Sequence, residues 1–442
     1  MRKYITPLLF FLFAYVHGQE IEETSTKIWT LQECIDYAIK NNITIIDAEL
    51  SQNAAKIDYE QSRSQRLPDL FGNASQSFSN GNSIDPITSD YVSEQIHSTS
   101  VNLSTSVTLF QGGQITNQIK QNKLIVDQNS FYIKEARNNI ILSITQDYLQ
   151  ARYNQEAILI AQSNLDATNK EVDRAKARYD AGSIAKKDYT DAVSQAATNK
   201  YNLLAAQKDY ELQILELKQL LELNPETSFE IEKTSYQDKD ISIIENKLVV
   251  YEKALDTMPE IASSKINIAV YEKDLDIAKG AFLPTLSLNG SIGTGYSNLQ
   301  DGNYGDQFDL NLNQNVNLSL SVPIFNRNSA KNQVKTAKIN IEKAQLDLKT
   351  SEKALFKKIE TAWQNAVASN EQLVAAKAAS EAAKDSYTLA QKQYELGSLS
   401  TTDLVVSQNT YTNARQNYIQ TKYLSILYAQ LLQFYQGNDI KI

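Results

Sequence analysis

Side chains able to grip a metal or act as nucleophiles near neutral pH are scarce in this sequence. It contains two histidines, His17 and His97, and one cysteine, Cys34. His17 falls in a segment expected to be removed, which leaves one histidine and one cysteine. A His/Cys zinc site, a Cys–His dyad and an intrachain disulfide are thereby excluded. Carboxylates are plentiful, with Asp+Glu 52 against Lys+Arg 43 and a formal net charge of −9. That balance argues against a nucleic-acid partner bound through a basic surface. The acidic run Asp301-Gly302-Asn303-Tyr304-Gly305-Asp306 lacks the spacing and terminal Glu of an EF-hand. Gly290, Gly293 and Gly295 have the wrong order for a dinucleotide fingerprint, with no helix after them. No catalytic, cofactor-binding or metal-binding residues are assigned, and the chain reads as a non-enzyme.

The residues that do recur at a fixed spacing are turn residues. Tyr179-Asp180-Ala181-Gly182-Ser183-Ile184 matches Tyr394-Glu395-Leu396-Gly397-Ser398-Leu399 at an offset of 215, and Asp188 then matches Asp403. At the same offset Ser106-Val107-Thr108-Leu109-Phe110 matches Ser321-Val322-Pro323-Ile324-Phe325; at 216, Leu67-Pro68-Asp69-Leu70 matches Leu283-Pro284-Thr285-Leu286. Three blocks in one order imply a duplicated structural half, far longer than a solenoid unit. The halves are read as residues 19–222 and 250–442, joined by a connector over 223–249. Ahead of them, Arg2, Lys3 and the short apolar run Leu8 to Val16 read as a secretory signal over residues 1–18. No cysteine follows closely enough to suggest a lipid anchor.

Two windows, 67–119 and 280–326, hold ten of the 14 glycines and no Lys or Arg. Within them Val101, Leu103, Val107 and Leu109 alternate with Asn102, Ser104, Ser106 and Thr108. Leu310, Leu312, Val316, Leu318, Leu320, Val322 and Ile324 alternate with Asn and Ser in the same way. Period-two patterning predicts hairpins over about 67–111 and 283–325. A soluble sandwich normally puts charge on its solvent face. An apolar face backed by uncharged Asn and Ser fits lipid on one side and a watery lumen on the other. Each half supplies two strands, and four strands cannot close a membrane barrel. The chain must then oligomerise: two copies give eight strands and three give twelve.

Outside the windows Ala, Gln, Lys, Glu and Leu favour helix. Residues 114–180 and 329–396 are free of Gly and Pro and end beside Gly182 and Gly397, where a left-handed residue stops a helix. Return helices are predicted over 184–222 and 401–436, and lead-in helices over 31–66 and 250–282. A return and a lead-in helix together match one long helix in length, so the connector is expected at mid-height. The apolar stripes are thin and rich in alanine, as in the wall of a tube rather than a solid bundle. The competing reading is an exported periplasmic coiled-coil scaffold without channel activity, which leaves the uncharged strand faces of these windows unexplained.

With these features assembled, the chain resembles the TolC-like outer-membrane efflux protein family. The carrying residues are Trp29-Thr30-Leu31-Gln32-Glu33-Cys34-Ile35-Asp36-Tyr37-Ala38, the Leu-Pro strand entries and the duplicated Gly-Ser turns. The resemblance implies a mostly α fold with a membrane β-barrel sector: a trimeric 12-stranded barrel in outer-membrane lipid, continued by a long α-helical barrel across the periplasm. It implies a passive exit duct that works with a periplasmic adaptor and an inner-membrane pump of RND or ABC type, in efflux or type I secretion. It places Asp403 and Tyr394 at the periplasmic constriction. Gly182, Ser183, Gly397 and Ser398 then become candidates for adaptor docking, since their turns lie farthest from the strands. Val406 and Leu399 stand where some members carry a second acid and a restraining arginine.

Overall fold

The computed structural model describes residues 27–233 and 244–440. The expected signal over 1–18 and part of the connector lie outside the described residues. The chain opens with a short strand β1 (Ile28–Trp29), then helices α1 (Leu31–Asn41) and α2 (Ile43–Ser64). Thr30 starts α1 with a capping box: its hydroxyl accepts the Glu33 N–H at 3.2 Å, and its own N–H donates to Glu33 Oε2 at 3.0 Å. The one lead-in helix expected over 31–66 is thus two. Asn42 takes an extended conformation, accepts the Thr44 N–H at 2.9 Å and donates to the Leu220 carbonyl at 2.9 Å. A short amide that competes for backbone groups ends one helix and caps the next.

The first hairpin, β2 (Phe71–Ile84) and β3 (Tyr91–Gln111), runs into helix α3 (Gln114–Asp180), which returns as α4 (Lys186–Leu220). Strand β4 (Glu230–Ile231) then pairs in parallel with β1. Helices α5 (Lys247–Thr257) and α6 (Pro259–Gly280) replace the single helix expected over 250–282. Pro259 has no N–H to donate, so it sits in the first turn of α6, and Asn246 caps α5 three residues earlier than expected. Strand β5 (Thr285–Ser297), the short helix α7 (Tyr304–Leu310) and strand β6 (Asn313–Ser321) follow, then α8 (Ser329–Glu395) and α9 (Thr401–Tyr435). Helices α3 and α8 have 67 residues each, roughly 100 Å at about 1.5 Å per residue.

The four longer strands form one antiparallel sheet in the order β2-β3-β5-β6. The second hairpin departs from the predicted alternation at both ends. Leu310 closes α7, Leu312 precedes the strand, and Val322 and Ile324 follow it around Pro323, which lacks a ladder donor. In β3 the register shifts between Thr108 and Phe110, so Phe110 rather than Leu109 stands opposite Leu286. The extra residue of a bulge bends the strand and re-aims its side chains.

The main core lies halfway along the long helices. Ile144 and Tyr148 of α3 meet Leu355 and Ile359 of α8, with Trp29 and Val250 from the flanking segments. The Tyr148 hydroxyl donates to the Trp29 carbonyl at 3.2 Å, and the Trp363 indole donates to the Glu245 carbonyl at 3.0 Å. Nearer the sheet, α3 packs between α2 and α6, and α6 packs on α8. Toward the far end α3 packs on α4 and α9, and α9 on α8. Each layer is therefore an open arc, edged by α2 and α8 above and by α4 and α8 below.

Candidate functional site

The two far turns adopt the same geometry. Helix α3 ends with the Gly182 N–H bonded to the Tyr179 carbonyl at 2.9 Å and the Ser183 N–H to the Arg178 carbonyl at 2.8 Å. Helix α8 ends with the Gly397 N–H bonded to the Tyr394 carbonyl at 3.0 Å and the Ser398 N–H to the Gln393 carbonyl at 2.9 Å. Gly182 and Gly397 have φ of 72° and 77°, the left-handed values of a Schellman end. All four Gly-Ser residues are exposed.

Beside these turns Tyr394 and Asp403 part company. Tyr394 is buried in a small cluster with Ala390 and Leu404, flanked by Tyr387 and Leu399. Asp403 is exposed, and its carboxylate accepts the Ser400 hydroxyl at 2.7 Å while Ser400 Oγ accepts the Asp403 N–H at 3.1 Å. Asp188 holds the equivalent place on α4, where the cap residue Ala185 offers no side-chain bond. Sequence reasoning missed the residues that join the two turns. Arg178 lies over the Tyr394 ring at 5.4 Å and donates to the Glu395 carbonyl at 3.1 Å; Arg174 pairs with Glu395 at 3.0 Å and with Glu171 at 3.0 Å. Burial pushes the Glu171 carboxyl above the ordinary range, and Arg174 offsets only part of that rise. The signal available in sequence was two arginines one helical turn apart at the end of α3.

The sheet separates polarity by face. Leu288 stands opposite Val107 and Leu318, Leu286 opposite Phe110 and Leu320, and Ile292 opposite Leu103. In the alternate rows Asn289 faces Ser106 and Asn317, and Ser291 faces Ser104 and Asn315. The apolar side chains remain uncovered: Val316 is 79% exposed and Leu320 64%. Outer strands β2 and β6 each have a partner on one side only. Among the described residues no helix is long and apolar enough to cross a membrane, and no group of three or more His, Cys, Asp or Glu could hold a metal ion.

Known proteins resemble this chain in sequence and in overall fold. Outer membrane protein TolC of Escherichia coli (strain K12) is 24% identical over 400 residues, spanning 89% of this chain and 79% of TolC. Outer membrane efflux protein BepC of Brucella suis is 22% identical over 308 residues, spanning 68% of this chain and 64% of BepC. Two solved structures share the fold. The outer membrane protein VceC of Vibrio cholerae superposes with a TM-score of 0.78 at 16% identity, over 93% of this chain and 97% of VceC. The CmeC outer membrane channel of Campylobacter jejuni does so with 0.77 at 19% identity, over 93% and 87%. Residues 34–222 and 250–435 match the outer membrane efflux protein family, one stretch for each half of the duplication. The chain belongs to that outer membrane family of efflux channels.

Proposed function

We propose that three copies of this chain close into a 12-stranded barrel in the outer membrane, continued by a helical barrel that forms a passive exit duct. The observation that carries this reading is the four-stranded sheet, apolar on one face and open at both edges. Unpaired backbone groups in hydrocarbon cost several kcal/mol each, on the order of magnitude for a lost buried hydrogen bond, so β2 of one copy must pair with β6 of the next. The helical arcs support the same closure. Edge helix α2 exposes Ile43, Ile46, Leu50 and Ile57, and edge helix α8 exposes Ile339 and Leu346. Joined edge to edge, these stripes cover one another around a ring. A scaffold reading leaves the apolar sheet face with nothing to cover it.

In this reading the far turns meet a periplasmic adaptor through Gly182, Ser183, Gly397 and Ser398, and the adaptor links the duct to an inner-membrane pump of RND or ABC type. Asp403 lines the narrow periplasmic end, and the buried Tyr394 belongs to the packing that holds that end together. Support for the docking role is the identical, exposed geometry of the two turns, which threefold closure would present as six near-equivalent sites. The test is the mass of the detergent-extracted protein. Three chains per particle, with an elongated image, support the duct; a monomer or dimer overturns it.

A further inference from the structure

At the outer end of the sheet the polar face is not open. Ile96, Ser98 and Ser297 belong to the same rows as Ser100, Asn102, Gly293 and Gly295, yet they are 2%, 7% and 0% exposed. Something must lie over that face. The cover is the turn of residues 85–90 between β2 and β3. Asp85 is fully buried within it; one carboxylate oxygen accepts the Ile87 and Thr88 N–H groups at 2.8 and 2.7 Å, and the other accepts the Ser297 hydroxyl. The turn is closed by Asp85 N–H to the Asp90 carbonyl at 2.9 Å and Ser89 N–H to the Asp85 carbonyl at 2.9 Å. Ile87 rests where a side chain at Gly295 would be: a Cβ there would stand 3.1 Å from Ile87 Cδ1 and 2.6 Å from the Thr99 carbonyl. The glycine therefore makes room for the turn.

Ser297 is itself held from behind. Its N–H donates to Gln307 Oε1 at 2.9 Å, and its carbonyl accepts Gln307 Nε2 at 3.0 Å. Gln307 belongs to α7, which is fixed on the opposite face by the Tyr296–Tyr304 ring stack at 3.7 Å and by the Thr294 hydroxyl bonded to the Phe308 carbonyl at 2.6 Å. Turn, strand end and helix thus form one hydrogen-bonded unit. Asp85 and Ser297 are the contact that presses the turn onto the wall.

We propose that residues 85–90 form an inward lid at the extracellular mouth, latched by Asp85 on Ser297, so that three copies narrow the exit. This rests on the trimeric duct, because only there does the polar face become a lumen. Below the lid, Ser291 lies on the same rows, opposite Ser104 and Asn315. The test is labelling of Ser291→Cys on intact cells by a bulky polymer-coupled maleimide, with N-ethylmaleimide as the small comparison. Cys34 is buried and serves as the unlabelled background. With the latch intact the small reagent should label and the bulky one should be slow. Adding Ser297→Ala, which keeps the turn's own bonds but removes its hold on the wall, should speed the bulky reagent about tenfold, the scale set by losing one hydrogen bond to a charge. Asp85→Ala should do at least as much, and trimers on native gels verify assembly of both. Fast bulky labelling with the latch intact, or equal rates in all variants that form trimers, would overturn the lid. Failure of the duct itself would appear differently, as absence of trimers and equal small-reagent labelling at Ser291→Cys and the outward-facing Val316→Cys.

Discussion

At Asp403 two roles compete for one carboxylate. Its bonds with Ser400 make it part of a helix cap, and the N-terminal dipole of α9 also favours a negative charge there. A threefold acidic ring at the duct's narrow end would use the same charge to attract cations. Single-channel recording under unequal salt separates the roles. Asp403→Asn should move the reversal potential toward non-selective conduction, and Asp188→Asn should move it less. If neither variant shifts the potential while both lower thermal stability, Asp403 is a cap alone. Ser400→Ala should cost about 1 kcal/mol whichever role holds, readable as a lower melting temperature. Asp85 gives a pH signature. Burial opposes its ionisation, but Ser297 and the Thr88 and Ile87 N–H groups outweigh that and hold its carboxyl below the ordinary 3.8. The stability it contributes is present above that value and lost as pH falls through the lowered one. Protection of the Ile87 and Thr88 amides from hydrogen exchange, measured against their intrinsic rates at each pH, should therefore fall in acid, and Asp85→Ala should lose that acid step. The Gly-Ser turns were legible in the sequence because duplication repeats them. The contacts of Arg174 and Arg178 with Glu395 were not, since they span more than 200 positions, as in Arg178 to Glu395 with a separation of 217.

Among the elements, strand facing makes the sharpest prediction. Leu318 and Leu320 stand in the apolar rows and Asn317 in the polar one. Lys at either leucine should block trimer assembly, because a charge on the lipid face costs about 2–4 kcal/mol near the midplane. Lys at Asn317 should assemble normally, and equal assembly of all three would refute the assignment. The far turns make a second. A Cβ at Gly182 or Gly397 meets nothing within 4 Å, so space is no obstacle there, but their positive φ is. Replacing both by Val should abolish transport while trimers persist. Replacing both by Asn, which tolerates the left-handed region, should preserve most of it. Normal transport by the Val pair would count against docking at the turns. Period-two and helix-favouring composition exposed the strands and long helices. The breaks at Asn42 and Met258, and the α7 insert ending at Leu310, escaped because capping and local bonds override pattern over one or two residues.

For the whole molecule, a detergent particle of three chains with a helical part roughly 100 Å long is the expected result, the length following from 67 residues at about 1.5 Å each. Disrupting the edge stripe should report on closure independently of the strands. Leu50→Glu in α2 should weaken trimers measured by native mass, since it puts a charge into a face that a second α8 must cover; unchanged trimers would place the seam elsewhere. The sequence by itself determined the duplication, the two strand windows free of Lys and Arg, and the two long helices. These follow from composition and periodicity, which act along the chain. Only the tertiary structure decided which strands are edges, which helices end each arc, and that the turn of residues 85–90 folds back over the polar face. Those depend on contacts between distant residues, such as Asp85 with Ser297 at a separation of 212, and no local pattern encodes a pairing of that kind.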